Sequence, residues 1–208
     1  MPDILSFVVK AALLAPPVLV AIILHEIAHG VVANYLGDDT AKRAGRLTLN
    51  PLPHIDPFGS VLLPLLLVVI GSPFVFGWAK PVPVNFANLR NPKRDMVAVA
   101  VAGPGTNILL ALLCAAAAHG FFAAGMELPT AIAVMAVRIN VALAVFNLIP
   151  ILPLDGGRVL FGLLPREPAM AFARLEPYGM LIVMALLFTG TLSAIVGPVA
   201  SFVIRTLL

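Results

Sequence analysis

Charge is scarce in this chain. Asp, Glu, Lys and Arg make up 11% of its 208 residues, and hydrophobic residues make up 61%. A soluble domain is about a quarter charged and about half apolar, so this composition excludes a large soluble core and indicates a polytopic membrane protein. Cysteine is nearly absent. Cys114 stands alone, which rules out an internal disulfide, and its Ala/Leu surroundings assign it to helix packing. The net charge of +3 does not suggest nucleic acid. Most Lys and Arg residues fall in short connections between apolar runs, as topology signals do. There is no low-complexity tract and no internal repeat. Nor is there a convincing cleaved leader: Lys10 interrupts the first apolar run, and no A-x-A site precedes a soluble region. The length suits one integral-membrane domain over residues 1–208, without room for a second sizeable domain.

What the chain does contain is His25-Glu26-Ile27-Ala28-His29, inside the apolar run from Ala11 to Leu36. On a helix, histidines four residues apart share one face and can hold one zinc ion together. Glu26, next to the first histidine, can act as general base toward a water at that ion. Three ionisable side chains so close together in an apolar run mark a functional site, because each is costly there. A soluble buried helix with backbone-bonded histidines would leave Glu26 unexplained.

In chain order, the first segment runs from about Leu5 to Leu36, with Pro16-Pro17 expected to break or bend it. Arg46-Leu47-Thr48-Leu49 alternates as a short strand does. Phe58 to Gly71, closed by Ser72-Pro73, is short for a span and suits a re-entrant segment. Lys80 to Asn85 is extended by its prolines. Spanning helices are expected at 96–119 and 130–150. The apolar stretch 178–208 reads as a tight hairpin or one bent span. Asn140 and Asn147, seven apart, share a face directed into the bundle, and Arg138 either faces the bundle or snorkels. The expected fold is therefore an all-α polytopic membrane protein of about five to six membrane segments, one of them short enough to re-enter, with short β-strands near the site. The basic segments 42–46, 80–94 and 158–174, together with Arg205, are expected on the cytoplasmic side of a multi-pass cell-membrane protein. The neutral-to-acidic turn near 120–129 is expected outside.

Catalytic zinc usually takes three protein ligands, and the motif supplies two. His119 and Cys114 lie too far along their helix to be the third. His54, Asp56 and Asp155 remain, and spacing alone leaves Asp155 between a ligand and a helix cap.

His25–His29, taken with Asn147-Leu148-Ile149-Pro150-Ile151-Leu152-Pro153-Leu154-Asp155-Gly156-Gly157, resembles the site-2 protease family of intramembrane zinc metalloproteases. Ala102-Gly103-Pro104 followed by Asn107 is similar to that family's middle core helix, and Gly45–Pro51 and Gly77–Asn85 are similar to its compact prokaryotic members. The resemblance implies one Zn2+ per chain held by His25, His29 and Asp155, with Glu26 activating water and Asn147 near the scissile peptide. It implies a transmembrane protein substrate in a lipid bilayer; the distribution of Lys and Arg is what puts the site toward the cytoplasmic side. It does not extend to a PDZ or nucleotide-sensing domain. His54 is read either as a structural hydrogen-bonding residue or as a part of substrate or water handling. Asn107 and Asn140 are read as support for the ligands or as substrate contacts. Residues 46–50 or 81–85 could hold an unwound substrate by strand addition. Two other readings are kept open: a membrane-anchored zinc peptidase of another family, and a metal carrier. The first would draw its third ligand from Glu127, Glu167 or Glu176, none of which lies within an apolar helix.

Overall fold

The computed structural model describes residues 4–70 and 77–208, with side chains described from Leu13 onward. The long apolar runs form helices because only internal hydrogen bonds can satisfy their backbones away from water. Helix α1 spans Ile4–Tyr35 and α2 Thr40–Arg43. A π-helical turn at Pro57–Leu62 leads into α3, Leu63–Val69. Then come α4 Pro92–Ala123, α5 Glu127–Asn147 and α6 Asp155–Leu163. Helices α7 Arg166–Ala173, α8 Glu176–Phe188 and α9 Thr191–Leu207 complete the chain.

Helix α4 is the hub and packs against α1, α5 and α6, while α9 closes on α5. Small side chains set these approaches. Ala111 and Ala115 of α4, Val137 and Val141 of α5 and Ala200 of α9 form one buried cluster. Cys114 packs against it, as expected. Large side chains such as Leu109, Leu113 and Leu181 lie on the outside. Arg138 is also exposed on the outer face of α5, so of its two expected placements it takes the one that requires snorkelling.

Among the described residues, Leu13–Tyr35, Pro92–Ala123 and Glu127–Asn147 are long and apolar enough to cross a bilayer. Helices α7 and α8, bent by 65°, raise the number to four if the pair is one span. The count is lower than the five to six expected, for a physical reason. Gly190, at φ 74, divides the C-terminal stretch into α8 and α9 of 13 and 17 residues, each short of the about 20 a span needs. The apolar helix Pro57–Val69 is likewise too short. Its expected closing residues, Gly71 to Pro73, lie outside the described residues.

Two expectations about the backbone are corrected. Pro16 and Pro17 lie inside α1 without ending it; they remove two N–H donors, and the turns on either side continue the helix. No β-strand forms among the described residues. At 46–50 the backbone turns back, with Arg46 N–H on Ala41 O at 3.0 Å. At 81–85 the chain has no ladder because Pro81 and Pro83 lack donors. The Val82 and Asn85 N–H groups go to the side chains of Glu26 and Asp38 instead.

Candidate metal centre

Helix α1 carries His25 and His29 on one face, against α4. Each Nδ1 meets an oxygen of α4: His25 with Asn107 Oδ1 at 2.5 Å, and His29 with Val99 O at 2.7 Å. The Val99 carbonyl can only accept, so His29 Nδ1 carries its proton. The same follows for His25 through a chain of buried amides. Asn140 donates Nδ2–H to Ala136 O at 2.9 Å, which turns its Oδ1 toward Asn107. Asn107 donates Nδ2–H to that Oδ1 at 2.9 Å and to Ala21 O at 3.3 Å, which turns its own Oδ1 to His25. With both Nδ1 atoms protonated, neutral rings present Nε2 lone pairs on the other side.

Those lone pairs converge, with His25 Nε2 and His29 Nε2 3.0 Å apart. Asp155, the first residue of α6, brings Oδ2 to 3.2 Å from His25 Nε2 and Oδ1 to 3.3 Å from His29 Nε2. Asp155 Oδ2 is buried and has no hydrogen-bond partner. With neutral imidazoles, three acceptors face one another without a donor, an arrangement that a bound cation would satisfy. His25, His29 and Asp155 are the one group of three such residues among those described, with ligand atoms within 4.8 Å of one another. The donor set of two imidazoles and a carboxylate suits zinc. For bonds of about 2.0–2.1 Å, a tetrahedral zinc site has ligand edges of about 3.3 Å, close to the separations observed here. Gly103 of α4 keeps the space between the imidazoles open. A Cβ there would lie 2.4 Å from His29 Nε2 and 2.5 Å from His25 Nε2. Gly156 and Gly157 let α6 lie on residues 148–152, as a Cβ on either would meet that backbone within 2.4 Å.

The cluster opens onto a cleft of about 500 Å³. Glu26, Asn147, Arg158 and the extended residues Pro81–Val84 line it. Glu26 Oε2 accepts the Val82 N–H at 2.7 Å. Asn147 donates one amide N–H to Leu143 O at 3.0 Å. Arg158 pairs with Glu176 and lies over the Phe86 ring, 5.4 Å from its centroid. Asn140 faces the bundle and lies behind His25, bonded to Asn107 at 2.9 Å rather than lining the cleft.

The other candidates stand elsewhere. His54 is buried, donates Nε2–H to Thr48 O at 2.9 Å, and borders a separate cavity of about 250 Å³ with Leu19, Ile22 and Trp78. Asp56 caps the π-helical turn through Phe58 N–H and Gly59 N–H, at 3.1 and 2.6 Å. His119 bonds Leu207 O at 3.0 Å, toward the far end of α4. Sequence reasoning missed Asp38. It is fully buried after α1 and accepts from Thr40, from Asn85 N–H at 2.7 Å and from Asn88 Nδ2 at 2.9 Å. The only signal for it was an acid directly following Gly37, with a donor-poor Pro-Val-Pro stretch downstream.

Comparison with known proteins adds the following. The profile of Peptidase family M50 matches residues 123–190, which include Asn147 and Asp155. The chain is 38% identical over 193 residues to “Putative zinc metalloprotease YwhC” of Bacillus subtilis (strain 168), covering 86% of this chain and 82% of that protein. It is 33% identical over 190 residues to “Putative zinc metalloprotease Rip2” of Mycolicibacterium smegmatis, covering 91% of this chain and 71% of the relative. No solved structure matches.

Proposed function

This chain belongs to peptidase family M50, the site-2 proteases, and is a zinc metalloprotease; on that footing we propose that it is an intramembrane endopeptidase cutting transmembrane helices of other proteins at His25, Glu26, His29 and Asp155. The observation that carries this reading is the convergence of three acceptor atoms, within 4.8 Å of one another, inside a bundle of apolar helices. His25, His29 and Asp155 hold one zinc per chain. Zinc bound there supplies a Lewis acid for the scissile carbonyl and the attacking water. Glu26 takes the proton from that water and returns it to the leaving amine. Asn147, with one N–H engaged by Leu143 O, has its other free to donate to the carbonyl oxygen as charge develops on it. Asn107 and Asn140 hold the tautomer of His25 from behind. His54 is structural in this reading.

The single domain covers residues 1–208, with the site toward the cytoplasmic side. Pro57–Val69 enters and leaves from that side, and α8 and α9 form a short hairpin. A substrate helix must unwind to expose a carbonyl, because its own hydrogen bonds cover it. The cleft wall at Pro81–Val84 receives the extended stretch. A metal carrier would not require a carboxylate beside the ligands, and Glu176, one of the three alternative ligands, is engaged by Arg158.

The test compares membrane proteins in cells carrying wild type and Glu26→Gln. Intact substrates should accumulate in the variant, and their shortened products should occur only with wild type. Identical profiles at equal expression would contradict the reading.

A further inference from the structure

The backbone donor on Glu26 comes from an unusual segment. Val82 is the middle residue of Pro81-Val82-Pro83, and since prolines have no N–H, it offers the one backbone donor of this tripeptide. Its side chain rests on Gly30, one turn after Glu26 on the same face of α1. A Cβ on Gly30 would lie 2.9 Å from Val82 Cγ1 and 2.5 Å from Leu47 Cδ2. The strap Lys80–Asn85 therefore lies directly on the face that presents the glutamate.

Two buried charged side chains outside the cleft pin the strap's ends. Arg46, 8% exposed, donates Nη2–H to Lys80 O at 2.8 Å, beside the bond from Lys80 N–H to His54 O at 2.9 Å. Asp38, 0% exposed, takes the Asn85 N–H at 2.7 Å, and the Asn88 side chain reinforces it at 2.9 Å. Burying a carboxylate and a guanidinium is costly unless partners compensate. The strap and the turn that follows it supply Lys80 O, Asn85 N–H and Asn88 Nδ2, Thr40 adds its own bonds to Asp38, and Arg46 Nε has no hydrogen-bond partner.

We infer that Asp38 and Arg46 are positioning residues for Glu26. They hold Lys80–Asn85 against α1 so that Val82 N–H occupies Glu26 Oε2 and leaves Oε1 for the proton of the attacking water. This rests on reading Glu26 as the base.

The experiment uses the full chain labelled with 15N-valine in detergent micelles, with the Val82 amide signal identified by its loss in Val82→Ala. The Val82 amide proton should move upfield in Glu26→Gln, Asp38→Ala and Arg46→Ala. In Asp38→Ala and Arg46→Ala, kcat should fall about 10-fold or more, the scale of one hydrogen bond to a charged group. KM and zinc content should stay within about twofold, and Asp38→Asn should recover part of the loss. If an alanine variant does not fold, an ester in place of the Asn85 amide removes only the N–H that reaches Asp38, and it should give the same shift and the same loss. A Val82 amide that ignores both Asp38→Ala and the ester overturns the inference alone. So does a shifted amide with unchanged kcat. Wild-type cleavage by Glu26→Gln overturns the base reading, and the inference with it.

Discussion

His25 Nδ1 and Asn107 Oδ1 meet at 2.5 Å, across 82 residues of chain. The contact joins α1 to α4 and orients a ring whose opposite nitrogen faces His29 and Asp155. Replacing Asn107 with Leu would leave the His25 N–H buried without a partner and the ring free to change tautomer. Zinc affinity, measured by chelator competition, should fall about 10- to 100-fold, the usual scale for a partner behind a ligand. Asn140→Leu should do less, because Ala21 O still holds Asn107.

Gly103 gives the sharpest steric prediction. A methyl group at that position would lie 2.4 Å from His29 Nε2 and 2.5 Å from His25 Nε2. Gly103→Ala should therefore lose most of its zinc and its cleavage together, while Gly105→Ala, whose Cβ meets nothing within 4 Å, should keep its zinc. Zinc determination on the purified variants decides it.

Part of the site's chemistry was legible in sequence because it is local: His25, Glu26 and His29 need only helical spacing. Asp155 stood open between a ligand and a helix cap on spacing alone, and only the family resemblance implied it as the third ligand. The spanning helices α1, α4 and α5 were legible from run length. What depends on long-range contacts was not. Leu47 and Leu49 alternate with polar residues as in a strand, yet Leu47 packs on Gly30 and the backbone folds back to Ala41. Asp38 went unnoticed in sequence, because only bonds from residues 85 and 88, far along the chain, make it a buried hub. Pro16-Pro17 was read as a break or a bend, and α1 runs through it unbroken.

Asp38 should also set an acid limit on stability. Burial pushes its carboxyl up, but hydrogen bonds from the Thr40 side chain, the Asn88 side chain and the Asn85 and Thr40 N–H groups outweigh this and hold it below the usual carboxylate range. A depressed carboxylate contributes stability above its unfolded pKa and loses it as pH falls through the folded value. The Tm difference between wild type and Asp38→Asn should therefore be constant above about pH 5 and close below about pH 4. A difference independent of pH down to about pH 2 would contradict the charge of Asp38 as its source.

Topology is checked by labelling single cysteines in a Cys114→Ala background with a membrane-impermeant reagent. Cysteines at Asp39, Asn91 and Glu167 should react from the cytoplasmic side, and one at Gly125 from outside, following the distribution of Lys and Arg. Labelling of Asp39 and Asn91 from opposite sides would make Pro57–Val69 part of a crossing segment.

The most direct measurement is cleavage of a helical membrane substrate in liposomes by Glu26→Gln, with zinc determined on the same sample. The variant keeps the shape of Glu26 but cannot accept a proton, so zinc should remain near one per chain. Cleavage should fall by about 10²–10⁴-fold, the contribution of a positioned general base. Near-wild-type cleavage by zinc-loaded Glu26→Gln would contradict the account.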